Sequence, residues 1–414
     1  MLDRDDLLRP ESLADPYPIY DALRAADPVH WNPRLDAWLV LRYDDVLDAL
    51  NHPELYSSDR TAAFMGHLPE GDADRFRAFA DMRRRMILYN DPPRHTELRR
   101  PVQRGMTVRL VSSLRPKIQQ VTDDLLDAVA GNGECDAIRD IGHPLPVIIN
   151  SELIGIPPAD RGTVKSWTEE FIAAINVGGA NVAIADLERG QDSVLAMREY
   201  FTALAKRKRE KPGDDLVSAL VYREEPMDDD DFVATCIVLL FAGLETALNL
   251  IGNGLLALLR HPAQVRRLAT TPRLLRGAVE ELLRYDGPLH LVGRLAVRDQ
   301  EAGGHTIAAG DKVLLMFGAA NRDPEAFTRP DELDIERPDN RHVAFSHGIH
   351  YCPGAELSRI EGEIVFGTIF RRLPGLRLAD EPLVWQPNLS FRGVQRLPLV
   401  FEAGRGETFE ASSQ

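Results

Sequence analysis

The stretch FSHGIHYCPG, Phe345 to Gly354, runs directly into AELSRIEGEIVFGTIFRRL, Ala355 to Leu373. Gly348, Pro353 and Gly354 punctuate a bend, and the apolar residues that follow recur at three- and four-residue spacing. A loop carrying Cys352 therefore opens into a helix. The first amides of that helix point back at the cysteine, and the positive helix end favours the ionised sulfur, the form that binds metal. Glycine at 348 and 354 removes side chains that would hold a flat ligand away from the backbone, and Phe345 offers an aromatic face. Two plainer readings stand beside that one. An isolated cysteine is often a small apolar packing residue. His347, His350 and Cys352 could also hold zinc, although four ligands are usual and no second CxxC or HxxxH cluster accompanies them.

A chain of 414 residues, 44% of them hydrophobic, is long enough for a large core or for two lobes around a buried cofactor. The N-terminus MLDRDDLLRPES is acidic and polar, and no later stretch offers about 20 uninterrupted apolar residues, so a cytoplasmic protein without a membrane anchor is expected. Cys135, Cys236 and Cys352 are too few and too scattered for a disulfide framework or a four-cysteine iron–sulfur cluster. Electrons, if the chemistry needs them, must come from another protein. The net charge of −15 disfavours nucleic acid and anionic membranes but leaves room for a local basic face.

VHWNPRLDAWLVLRYDDVLDAL, from Val29 to Leu50, predicts two short strands around a Pro-Arg turn, then a helix. Leu291 to Phe317 and the later LSFRGVQRLPLVFEA alternate apolar runs with turn signals, as further strands do. Helical periodicity marks RHTELRRPVQRGM, KIQQVTDDLLDAVA, SVLAMREYFTALAKRKRE and AQVRRLATTPRLLRGAVEELLRYD. The expected fold is mainly α with small β-sheets. One domain is expected over 1–414, its β-rich lobe drawn from about 25–45, 288–318 and 385–402. Only the tail GRGETFEASSQ looks unstructured.

Between Asp229 and Arg260 the sequence DDDFVATCIVLLFAGLETALNLIGNGLLALLR is apolar nearly all the way round, which places a helix inside the protein. Gly243, Glu245, Thr246, Asn249 and Asn253 interrupt it. A buried unpaired polar group costs about 1–3 kcal/mol and a charge more, so these residues either meet structural partners or serve a function. In the structural case Thr246 returns its hydroxyl to the Ala242 carbonyl and Glu245 meets a base. In VEELLRYD, Glu281 and Arg284 lie three apart on one helix face and can form an ion pair.

Taken together these motifs resemble cytochrome P-450, over essentially the whole chain. The family's heme-thiolate loop is met by Phe345, Gly348, His350, Cys352 and Gly354, and AGLET is similar to its oxygen-activation motif. The resemblance implies a heme b cofactor with O2 as co-substrate and Cys352 as the iron ligand. It also implies that Ala242 and Gly243 leave room for O2 while Glu245 and Thr246 relay protons. Glu281, Arg284 and Arg337 match the family's ExxR signature and its third member, a buried brace for the cysteine loop. His95 and Arg99, Arg294, and His350 fall at the positions that hold the two heme propionates. ANRDP, Ala320 to Pro324, is a further match with a structural role.

The family's pocket maps to roughly 60–90, 167–197, 234–246, 288–293 and 388–392. Phe64, Met65, Met86, Phe171, Ile175, Val238, Leu239, Leu291, Val292 and Phe391 supply a mostly apolar wall for a hydrophobic small molecule. His290 either bonds a polar group of the substrate or is a satisfied loop histidine. The resemblance implies a monomeric bacterial monooxygenase fed by a separate ferredoxin and ferredoxin reductase. Arg100, Arg104, Arg109, Lys117, Arg341 and Arg359 are the expected ferredoxin-docking patch. Oxidative coupling, nitration or peroxide-driven oxidation at the same heme is the alternative chemistry, and a heme-binding protein without turnover is the other.

Overall fold

The structure, a computed structural model, describes residues 5–66, 72–175, 182–222 and 227–404. Its axis is one helix, Asp229–Arg260, started by the Asp228 carboxylate, which accepts from the amides of Asp230 and Asp231. Three aspartates in the first turn and Arg260 in the last complement the helix dipole. By length and composition this helix could cross a membrane, yet most of it is buried inside the protein.

The central helix joins two cores. Its first half, Phe232 to Phe241, packs with helices Arg77–Arg84, Arg161–Ile175 and Ile184–Glu210. Its second half, Leu248 to Leu258, packs with Arg115–Ala130, Pro144–Ile154, Leu275–Asp286 and Ala355–Arg372. Each fully buried Leu, Ile or Phe contributes about 1.5–3 kcal/mol, so a helix apolar on every face is stabilised from both sides. Gly254 brings it against Phe366 of the helix that follows the cysteine loop. Ala242 to Thr246, between the two cores, is half-buried throughout.

The first sheet runs, in spatial order, Val29–Asn32, Ala37–Val40, Lys312–Leu315, Val292–Ala296 and Tyr56–Ser57. Trp31 pairs with Trp38, Trp38 lies in parallel register with Val313, and Arg294 pairs with Val313 from the other side. The strand-rich segments expected to form one lobe divide between sheets. Phe391 bridges to Leu289, but Pro398–Val400 pairs with Glu134–Asp136 and Arg377–Leu378 in a separate three-stranded sheet. Cross-strand partners distant in sequence, not local alternation, decide that assignment. The helical run beginning at Ala263 also breaks. Thr271 leaves the helix and Pro272 opens a short 3-10 turn, because proline cannot donate the next helical hydrogen bond. The tail from 405 onward, expected to lack structure, lies outside the described residues.

Candidate active site

The cysteine loop is pinned at both ends. The Val343 amide donates to Asn321 Oδ1 at 2.8 Å, and the Cys352 amide to the Phe345 carbonyl at 2.9 Å. Gly348 sits at φ +63°, and a Cβ there would lie 2.7 Å from the Leu50 carbonyl oxygen. Its glycine is required by the turn and by that neighbouring backbone, a correction to the expectation that it clears space for a ligand. Gly354 does face the site, since the nearest atom to a Cβ there is Cys352 Sγ, 3.9 Å away. Phe345 is buried, with the Arg359 guanidinium 4.7 Å from its ring centre. Desolvation pushes the Cys352 thiol up, against the pull of the Gly354 amide, Arg99 and Arg359. The helix end therefore does not by itself ionise the sulfur, and metal coordination is what deprotonates such a thiol. The zinc alternative finds no support in the geometry: His347 is exposed, while the His350 Nε2 meets Ser58 Oγ at 2.9 Å and its ring packs on His95 at 4.5 Å.

Behind the loop stands a closed charge network. Arg284 grips Glu281 through two bonds of 2.8 Å, both side chains fully buried. Arg337 Nε reaches the same carboxylate at 3.0 Å, Asn340 at 3.1 Å, and the Asp334 amide at 2.8 Å. The remaining guanidinium hydrogens of Arg284 go to the carbonyls of Asn321, Pro330 and Glu332. The sequence reading named the three charged members. It missed Asn340 and Asn321, which need the fold to bring them in. ANRDP is structural as expected: Arg322 bonds the Tyr285 carbonyl, and Asp323 accepts from the Tyr43 amide at 2.8 Å.

In front of the loop the charges are unbalanced. His95, Arg99, Arg294 and His350 come together, joined by Arg60, which packs over Gly293 and which sequence reasoning missed. Among the described residues neither ring nitrogen of His95 has a partner, nor do Arg99 Nε and Arg60 Nε, all of them buried. Arg99 spends one nitrogen on the Tyr351 carbonyl and Arg294 one on the Gly293 carbonyl. Asp91 is the nearby acid, but it accepts from the Ser57 hydroxyl and the Ser58 amide. Burial, then the neighbouring cations, pushes His350 down to about 2. Burial and Arg99 push His95 down to about 4, and burial and Arg60 push Arg294 down to about 9. Three guanidiniums with Asp91 as their nearby acid, and two imidazoles whose proton affinity they drive down, leave positive charge and donors in excess and so make a site for an anion. A planar ring carrying two carboxylates would find in these residues the donors for its carboxylates, with the Cys352 thiol nearby as a metal ligand.

On the central helix the Thr246 hydroxyl donates to the Ala242 carbonyl at 2.7 Å, the structural alternative for that residue. Among the described residues Glu245 meets no base; it accepts from Asn249 Nδ2 at 3.3 Å and is half-buried. Gly243 makes room for Asn150, whose amide nitrogen would lie 2.7 Å from an added Cβ. Its small size thus serves helix packing, a second correction. Phe64, Met65, Met86, Phe171, Ile175, Val238 and Leu239 belong to one cluster with Ala242, whereas Leu291 and Val292 pack into two other clusters. Residues 67–71 and 176–181 of the expected pocket segments lie outside the described residues. His290 is buried among Tyr17, Tyr20 and Asp286, the satisfied-histidine reading. Arg100, Arg104 and Arg109 are exposed, but Arg359 is committed to Glu280 at 2.5 Å and Arg341 to Asp339 at 3.1 Å.

Fold and site together define a helical protein with a cysteine thiol beside a cluster of buried donors suited to an anionic group. The Cytochrome P450 family model matches residues 272–375. Cytochrome P450 CYP107DY1 from Priestia megaterium is 38% identical over 96% of this chain and 98% of its own length. Cytochrome P450 monooxygenase PikC from Streptomyces venezuelae is 39% identical over 95% of this chain and 92% of its own. The crystal structure of P450BioI in complex with hexadec-9Z-enoic acid ligated acyl carrier protein superposes with a TM-score of 0.87 at 34% identity, covering 95% of this chain and 99% of that one. This chain belongs to the cytochrome P450 family. It is a monooxygenase with heme b as cofactor and O2 as co-substrate.

Proposed function

We propose that Cys352 is the heme-thiolate ligand of a monooxygenase that hydroxylates or epoxidises a hydrophobic small molecule, a polyketide, terpenoid, steroid or peptide-derived metabolite. The observation that carries this reading is the excess of buried guanidinium and imidazole donors over acceptors beside the Cys352 loop. Heme, when bound, supplies O2 activation, and a thiolate ligand favours O–O cleavage. His95, Arg99, Arg294 and His350, with Arg60, hold its propionates through charge-assisted hydrogen bonds. Phe345 and Gly354 shape the cysteine side, while Gly348 holds the turn.

Thr246 Oγ1 and the Glu245 carboxylate move protons. The threonine hydrogen now spent on the Ala242 carbonyl is released when the side chain turns to a water, and Glu245, without a base to bind it, resupplies that proton from solvent. The apolar cluster around Phe171 and Val238 excludes bulk water from the reaction. PikC, named as a monooxygenase, supports the same use of the fold. The chain works as one cytochrome P-450 domain, a cytoplasmic monomer reduced by a separate ferredoxin and its reductase, with Arg100, Arg104 and Arg109 as docking residues.

The reduced, carbon-monoxide-bound absorption spectrum of the purified protein tests the core of this reading. A Soret band at the long-wavelength position of thiolate-ligated heme is expected, and its loss in Cys352→Ser. A shorter-wavelength band in the unsubstituted protein would refute thiolate ligation. For the proton relay, Thr246→Ala is expected to divert reducing equivalents to peroxide at the expense of product; unchanged coupling would remove the threonine from the mechanism.

A further inference from the structure

Three consecutive arginines, Arg83 to Arg85, meet three different fates. Arg84 is exposed and pairs with Asp81 at 2.9 Å. Arg85 pairs with Asp228 at 2.7 Å and with Asp231 at 2.9 Å, the latter shared with Arg94. Arg83 is 5% exposed, and among the described residues its Nε and Nη1 have no hydrogen-bond partner. Its guanidinium lies 4.4 Å from the ring centre of Phe64 and 4.0 Å from that of Tyr89. Aromatic faces attract a cation, but they leave its in-plane N–H groups unsatisfied. A buried guanidinium in that condition needs an acceptor.

The arginine's surroundings say where that acceptor comes from. From Phe64 a chain of aromatic contacts runs through Phe79 at 6.1 Å and Phe171 at 5.6 Å to Phe241 at 5.3 Å, the residue before Ala242. Arg83 shares Tyr89 with Arg60, whose guanidinium is 5.6 Å from that ring, and the two guanidiniums repel each other. Arg83 thus borders the apolar cluster and stands one ring beyond the cations assigned to the propionates. The guanidiniums among them, Arg60, Arg99 and Arg294, already outnumber two carboxylates.

We infer that Arg83 is a specificity-determining residue that pairs with a carboxylate of the substrate, so that this enzyme takes an apolar molecule ending in an acid group. The planar fork of the guanidinium matches a carboxylate bidentately, while Phe64, Phe79 and Phe171 take the apolar body. This inference rests on the heme-monooxygenase reading above.

The test uses the heme-loaded protein and ligands that bind iron through an imidazole: alkylimidazoles of graded chain length, each with a terminal carboxylate or with its neutral methyl ester. Binding is read from the Soret shift of nitrogen ligation. At the chain length that spans the pocket, the acid is expected to bind at least about tenfold more tightly than the ester, the size of a charge-assisted hydrogen bond. Arg83→Gln is expected to abolish that preference and leave ester affinity unchanged, while Arg83→Lys retains part of it. Equal or weaker binding of the acid at every chain length would overturn the inference. So would a preference that survives Arg83→Gln while heme content falls, the signature of an arginine that holds a propionate instead. If the purified protein takes up no heme, the heme reading fails and this inference with it; if heme is present and neither series shifts the Soret band, the inference alone is overturned.

Discussion

Two groups of buried charge flank the Cys352 loop, and they are built on opposite plans. Around Glu281 the nitrogens of Arg284 and Arg337 find oxygens, and both carboxylate oxygens are taken. Around Arg294 and His350 the nitrogens outnumber their acceptors, and their ordinary proton affinities are driven down. Desolvating a charge costs several kcal/mol unless it is paired, so the first group is complete as folded and the second is complete only with a bound anion. The first is a frame and the second is a receptor. Buried polarity alone does not mark a site; unmatched buried polarity does.

The contrast can be broken most severely at the frame. Glu281→Ala leaves two guanidiniums facing no carboxylate, and a loss of about 3–5 kcal/mol is expected, enough to deplete heme-loaded protein. Denaturant midpoints measure it; an ordinary midpoint would mean that the network is not a brace.

A third group lies between the two plans. Asp286 is engaged by Arg392 and by the Tyr17 hydroxyl, each at 2.6 Å, and His290 lies 3.6 Å away. Burial pushes His290 from 6.5 down to about 4, with Arg392 adding to burial and Asp286 opposing it. Between those values the unfolded chain binds a proton that the folded chain refuses, so stability rises with pH across that window and falls on acidification. The full effect is at most about 3 kcal/mol. His290→Gln should flatten the slope of stability between pH 6.5 and about 4, read from denaturation at a series of pH values. An unaltered slope would assign the acid sensitivity elsewhere.

At the receptor the sign reverses. Arg294→Gln removes one of several mutually repelling cations, so heme-free protein should be as stable as before or slightly more so. Heme transfer to an excess of apomyoglobin should meanwhile quicken about tenfold, the size of one lost charge-assisted contact. A heme-free form clearly destabilised by this change would show that Arg294 belongs to the frame. The smallest effect is expected at the surface. Reversing Arg104 and Arg109 to Glu should slow reduction by an acidic ferredoxin a few-fold at low salt, with the difference fading as salt rises. Equal rates at low salt would move the docking face away from these residues.

The most legible features were those fixed by neighbours in sequence. The helix after Gly354 starts where the periodicity places it, and the first two strands and the helix after them match the stretch read for them, the helix running one residue past it to Asn51. Arg60 was invisible because nothing near it in sequence resembles a ligand motif; it joins the cations only when its strand-side loop packs over Gly293. Arg83 was hidden for the opposite reason. In RRR the three residues are alike in sequence, and only burial separates the one without an acid from its two paired neighbours. The purposes of Gly243 and Gly348 were misread because a missing Cβ is visible in sequence, whereas the atom it makes room for is not.

The chain alone carried its class: a cysteine in a glycine-marked bend, a threonine and an acid in an apolar helix, and a Glu-Arg pair three residues apart are local patterns set by helix period and turn chemistry. Tertiary structure alone decided which charges are satisfied. Pairing depends on distances between residues up to several hundred positions apart, and no periodicity records them.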